Sequence, residues 1–162
     1  MKRIHILCIL FFVGSVVSIQ AQELRVGKTA PDFTFTTAEG KSRTLSSYRG
    51  KPVALHFWAT WCGPCIRELP LIASLSTAKA QDLTVLAVNC AEPDQTVSSF
   101  LAKRQLKLNV IMDRDYAISR LYAIDAIPQT YMIDAEGIIR SIQVGAYTQR
   151  GLNRDVSALL GG

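Results

Sequence analysis

Val53-Ala54-Leu55-His56-Phe57-Trp58 runs almost directly into Trp61-Cys62-Gly63-Pro64-Cys65, and apolar residues at helical spacing follow at once. The first segment is apolar on both faces of an extended chain, which predicts a strand inside a sheet rather than at its edge. Beyond the cysteines, Ile66, Leu69, Ile72, Ala73 and Leu75 mark one helix face, and Pro70 interrupts it. A kinked helix is expected there. A buried strand that turns within a few residues into an amphipathic helix must pack that helix back on its own sheet.

The rest of the chain extends the pattern. Phe33 to Thr36 alternates apolar and polar, Glu39-Gly40 marks a turn and Lys41 to Leu45 returns, a hairpin signature. Ser46 to Arg49 predicts a short helical turn. Leu83 to Val88 predicts a second buried strand, and Asp94 a helix N-cap ahead of Val97, Phe100 and Leu101. Asn109 to Met112 predicts a strand and Arg114 to Tyr122 a short helix. Gln129 to Ile133 and Ile138 to Val144 flank the turn Asp134-Ala135-Glu136-Gly137, and Thr148 to Leu160 predicts a closing helix. Strand–helix alternation implies parallel pairing and the late hairpin antiparallel pairing. The expectation is an α/β fold with a mixed central sheet, helices on both faces and an N-terminal β-hairpin extension.

Residues 1–21 read as a secretory signal. Lys2 and Arg3 precede an almost wholly apolar stretch to Val17, and Ala21 ends a short segment suited to cleavage. An uncleaved N-terminal membrane anchor is the alternative. Residues 22–162 then form one domain. Without Lys2 and Arg3 the chain carries 16 basic and 13 acidic residues, with no basic run beyond Lys103-Arg104. Nucleic-acid binding, which favours a clustered basic stripe, is not expected.

Export leaves Cys62, Cys65 and Cys90. Two cysteines separated by two residues, after a strand and at the start of a helix, form a redox dithiol arrangement. A helix N-terminus offers unpaired N–H groups and partial positive charge, and both favour a thiolate at Cys62. Pro64 suits the first helical turn, and Gly63 adds little bulk above the sulfurs. Zinc would want two further ligands at fitting spacing; only His56 and Cys90 remain, so no metal is expected. An inert structural bridge would close too small a loop to stabilise much. Exchange through sulfur needs no cofactor. Cys90, at the end of the second strand, reads as a buried free thiol.

Trp58-Ala59-Thr60-Trp61-Cys62-Gly63-Pro64-Cys65 resembles the active site of thioredoxin, and Ala126-Ile127-Pro128-Gln129-Thr130 resembles the cis-proline loop of that fold. Gly27 to Phe33 and Glu68-Leu69-Pro70 are similar to the exported thiol–disulfide oxidoreductases of the TlpA/ResA group, in the AhpC/TSA–redoxin superfamily. The resemblance implies a thioredoxin fold, with Cys62 as nucleophile and Cys65 as resolving cysteine. It implies a cis Pro128 against the dithiol, with Ile127 offering backbone groups to an extended substrate, and Trp61, Gly63 and Pro64 lining the contact. Glu68, one turn beyond Cys65, would take its proton; a solvated surface Glu68 is the alternative. His56 stands where thioredoxin has a buried acid, as a proton relay or a hydrogen-bonded core histidine. The implied partners are a disulfide-containing exported protein, such as apo-cytochrome c, and a membrane thiol donor; a monomer is expected. Gly-Pro between the cysteines resembles reducing thioredoxin, which points to a reductant.

Two other functions compete. A peroxidase of the peroxiredoxin type wants Pro and Thr or Ser seven and three residues before its cysteine, where this chain has Leu55 and Ala59. A non-enzymatic binding domain would not need the intact dithiol.

Overall fold

The computed structural model describes residues 24–161. The leader expected over residues 1–21 lies outside the described residues. A small antiparallel hairpin, β1 (Thr34–Thr36) and β2 (Ser42–Thr44), leads into a 3-10 turn at Leu45–Tyr48. The main sheet is built from β3 (Val53–Trp58), β4 (Thr84–Cys90), β5 (Val110–Asp113), β6 (Gln129–Ile133) and β7 (Ile139–Val144). Its strand order is β5-β4-β3-β6-β7. β3 runs parallel to β4 and β4 to β5, while β6 and β7 are antiparallel to their neighbours. Among the described residues the α-helices are α1 (Gly63–Ala78), α2 (Asp94–Lys103), α3 (Ala117–Leu121) and α4 (Gln149–Leu159).

β3 is the central strand, and all six of its residues are buried. Its alternation divides the core. Leu55 and Phe57 face a cluster with Phe33, Phe35, Leu45, Ile118 and Tyr122, contributed by the hairpin, the 3-10 turn and α3. Ala54 faces Ile72 of α1 and Leu152 and Val156 of α4. Trp58 faces Cys65 and Leu69 of α1 and Val97 of α2. Three helices thus cover one face, and the short α3 with the hairpin covers the other. Each fully buried large side chain contributes about 2 kcal/mol.

Local chemistry sets the ends of these elements. Thr148 caps α4, its hydroxyl accepting from the Gly151 N–H at 3.1 Å. Gly137 closes the β6–β7 hairpin at φ +81°, a conformation that favours glycine. Pro70 lies inside α1 without ending it and supplies no N–H to the Ile66 carbonyl. The expected cap at Asp94 is corrected: Pro93 occupies the cap position of α2 and no side chain caps the helix. Asp94 is already helical, and its carboxylate receives Arg114 Nε at 3.2 Å. Among the described residues no helix is long and apolar enough to cross a membrane.

Candidate active site

β3 delivers the chain to the sheet's carboxyl edge, where Ala59 to Cys62 form a turn closed by the Cys62 N–H on the Ala59 carbonyl at 3.3 Å. Cys62 is the N-cap of α1, and its sulfur accepts from the Cys65 N–H at 3.2 Å. Cys62 and Cys65 are joined as a disulfide with Cα atoms 5.2 Å apart, so the structure holds the oxidised state. The two positions are unequal. Cys62 keeps 5% exposure at the rim, while Cys65 has none. Trp61 is 67% exposed beside them, and Gly63 and Pro64 are exposed as well.

The β6 side supplies the opposing wall. The Ile127–Pro128 peptide is cis, the isomer that the resemblance implies. The Ile127 carbonyl oxygen lies 3.5 Å from Cys62 Sγ. Gly145 N–H donates to the Pro128 carbonyl at 2.8 Å and holds this loop to the end of β7. Ile127 is half-buried, and among the described residues neither its N–H nor its carbonyl is taken by another backbone group.

Glu68 is not a solvated helix residue: it is 3% exposed. Its Oε1 accepts the Tyr147 N–H at 3.0 Å, while Oε2 has no partner among the described residues. Burial pushes the Glu68 carboxyl up to about 7, and the bond from Tyr147 opposes that only in part. His56 is fully buried on the face of β3 that α1 covers. Its Nδ1 pairs with Thr130 Oγ1 at 2.9 Å and its Nε2 is unpartnered. Burial pulls the imidazole down to about 3, so His56 is neutral across the physiological range.

Cys90 is a free, buried thiol, 3.6 Å from the Ser119 hydroxyl. Burial raises its thiol above the ordinary range. A reagent that alkylates the reduced protein at neutral pH should therefore leave Cys90 unmodified until the chain is denatured. Mass spectrometry of peptides alkylated before and after denaturation checks this, and rapid native labelling of Cys90 would contradict it.

The sequence reasoning missed one group of site-flanking residues. Glu92, 8% exposed, reaches across from the loop between β4 and α2. Its Oε2 accepts the Thr60 N–H at 2.7 Å and Asn89 Nδ2 at 2.7 Å, and its Oε1 accepts the Thr60 hydroxyl. In the sequence Glu92 stands just before Pro93-Asp94 and belongs to no motif that marks it. Tyr147 was missed likewise, because its contribution is a backbone N–H.

The AhpC/TSA family model matches residues 26–142. Thiol-disulfide oxidoreductase ResA of Geobacillus kaustophilus is 38% identical over 135 residues, 83% of this chain and 78% of that protein. A protein from Chlorobium tepidum, provisionally named thiol:disulfide interchange protein DsbE, superposes with a TM-score of 0.78 at 31% identity, over 86% of this chain and 100% of that one. A secreted Mycobacterium tuberculosis disulfide oxidoreductase superposes with a TM-score of 0.70 at 28% identity, over 78% of this chain and 96% of that one.

Proposed function

The chain belongs to the AhpC/TSA family as a ResA-like thiol–disulfide oxidoreductase, and from that premise we propose that it reduces disulfides of exported proteins, with Cys62 as the attacking sulfur and Cys65 as the resolving one. The observation that carries this reading is the inequality of the dithiol: one sulfur at the rim on a helix N-terminus, the other sealed beneath it. The Cys62 thiolate attacks a substrate sulfur and forms a mixed disulfide, and the displaced substrate thiolate takes up a proton. Cys65 then gives its proton to the Glu68 carboxylate and attacks Cys62 Sγ. The Cys62–Cys65 disulfide forms, and the second substrate thiolate leaves. Two electrons pass to the substrate, and a thiol donor must return them.

A carboxyl with a pKa of about 7 suits the role given to Glu68, because near neutral pH it can both take and release a proton. His56, neutral and held by Thr130, acts in this scheme as a core residue next to the site rather than as a charged relay. Ile127 receives an extended substrate segment on its backbone N–H and carbonyl, which no other backbone group takes among the described residues, against Trp61, Gly63, Pro64 and Pro128. Residues 1–21 direct export to an extracytoplasmic compartment such as the periplasm, as a cleaved signal or a retained anchor; the secreted relative supports that location. The protein works as a monomer with a membrane thiol donor, and apo-cytochrome c maturation is the process to which the family resemblance points. The peroxidase alternative finds no support at Leu55 and Ala59, which are fully buried apolar residues.

The test is the reduction potential of the Cys62–Cys65 couple, measured by equilibrating the protein with thiol/disulfide buffers. A value of about −270 mV or lower is expected for a reductant. A value near about −120 mV would reverse the direction and make the protein an oxidant.

A further inference from the structure

The turn that presents the rim cysteine is held from outside itself. Ala59 to Cys62 is closed by one internal backbone hydrogen bond, from Cys62 N–H to Ala59 O, and the Cys62 carbonyl accepts the Ile66 N–H of α1 at 3.0 Å. Thr60, its second residue, gives both its N–H and its hydroxyl to one carboxylate, that of Glu92. Glu92 is itself fixed from β4: Asn89 Nδ2 donates to Oε2, and Asn89 Oδ1 receives the Glu92 N–H at 3.3 Å. Asn89 sits opposite Trp58 in the β3–β4 register, so the brace starts from the carboxyl ends of the two strands that precede the site. Ala91, between Asn89 and Glu92, adopts φ 54°. That left-handed conformation is unfavourable for an alanine, so the loop that turns Glu92 inward is held at a cost.

The chemistry of the brace is specific. A buried carboxylate is expensive unless charge-assisted hydrogen bonds compensate it. Here the three donors to its oxygens come from Thr60 and Asn89. Two of those three belong to the turn whose last residue carries the reacting sulfur. Thr60 fixes the direction in which Trp61 and Cys62 leave the sheet. That direction decides whether Cys62 reaches the N-cap of α1, within 3.2 Å of the Cys65 N–H.

We infer that Glu92 is a positioning residue of the redox site: through Thr60 its carboxylate holds the Ala59–Cys62 turn, and so keeps the Cys62 sulfur on the helix N-terminus, where it reacts. The inference rests on Cys62 being the attacking sulfur.

The experiment follows the rate of Cys62 alkylation against pH in the reduced protein, for the wild type, Glu92→Ala, Glu92→Gln and Thr60→Val, under conditions where each is folded. Glu92→Ala lets the turn relax, which raises the Cys62 pKa and slows alkylation at pH 7 by about tenfold. Thr60→Val keeps the N–H bond and loses the hydroxyl bond, so it moves in the same direction by a smaller factor; it decides the matter if Glu92→Ala does not fold. Glu92→Gln recovers most of the loss. Its amide oxygen can accept from Thr60 N–H and Asn89 Nδ2, and its NH2 can donate to the rotated Thr60 hydroxyl. Melting temperatures that fall while the Cys62 profile stays at wild type in both Glu92→Ala and Thr60→Val would reduce the brace to a structural role and overturn the inference. Equal acceleration in Glu92→Ala and Glu92→Gln would overturn it too, because charge rather than position would then be acting. If Cys62 is not the thiol that reacts in the wild type, it is the dithiol assignment that fails, and the wild-type profile alone reveals that.

Discussion

Cys62→Ser will abolish disulfide exchange, and Cys65→Ser will stop it one step later. The rim sulfur lies on a helix N-terminus that favours its thiolate, and a serine hydroxyl in the same place stays protonated at neutral pH and cannot attack a disulfide. Loss of at least about 10³-fold in the reduction of a protein disulfide such as that of insulin is expected, because the site's remaining thiol, Cys65, is fully buried and out of a substrate's reach. Cys90 does not substitute for it, being sealed beside Ser119 with its pKa raised. Cys65→Ser keeps the attack by Cys62 but lacks the sulfur that resolves the intermediate. The variant should accumulate one substrate molecule per chain as a mixed disulfide, visible by mass and released by a small thiol. Neither change should unfold the protein, since a disulfide closing so short a loop constrains the unfolded chain little. Wild-type turnover in Cys62→Ser would remove that residue from the mechanism. Turnover without a trapped adduct in Cys65→Ser would assign resolution to another thiol.

Glu68→Gln will separate stability from activity. The carboxyl has a pKa of about 7 in the folded chain against 4.5 as its ordinary value, and burial is the cause. Below the ordinary value both states hold the proton and the group contributes nothing to pH dependence. As pH rises from there to about 7, the unfolded chain releases its proton first, so the folded state loses stability through that window and levels off above it. The full loss is of order 3 kcal/mol. Glutamine cannot ionise, and its oxygen can still accept the Tyr147 N–H, so the variant should show a flatter stability–pH curve between these limits and gain on the wild type as pH rises. Denaturant titrations at a series of pH values measure this. Over the same range exchange should slow by about 10²-fold, because Cys65 no longer has a base for its proton, and the step near pH 7 in the rate profile should vanish. Parallel stability curves for the two proteins would mean that Glu68 ionises like a surface carboxylate. An unchanged rate–pH curve would retire its part in proton transfer.

The elements were largely legible because their signals are short-range. β3 and β4 read as apolar runs since both faces of a central strand are buried, and β6 was delimited by Pro128 on one side and the Asp134–Gly137 turn on the other. The closing helix expected over Thr148 to Leu160 followed from Leu152, Val156 and Leu159, and the structure gives α4 with Thr148 as its cap. The same local logic failed at Asp94. It is a good capping residue by type, but Pro93 is already extended at the cap position, and the Asp94 carboxylate lies with Arg114, twenty residues on. Side-chain type states what a group can bind, and tertiary contacts decide what it does bind.

The site divides in the same way. The sequence alone determined the dithiol and its place between a buried strand and a helix, because spacing along the chain carries that chemistry, while the proline of the facing loop followed from the resemblance to thioredoxin. Only the tertiary structure decided that Glu68 is buried with one oxygen unpartnered, that His56 is kept neutral by burial and hydrogen-bonded to Thr130, and that Glu92 braces the turn before Cys62. Those outcomes depend on Tyr147, Thr130 and Thr60, which lie 79, 74 and 32 residues from the groups they touch. Desolvation and hydrogen bonding act through space, and across such separations only the packed fold sets which atoms meet.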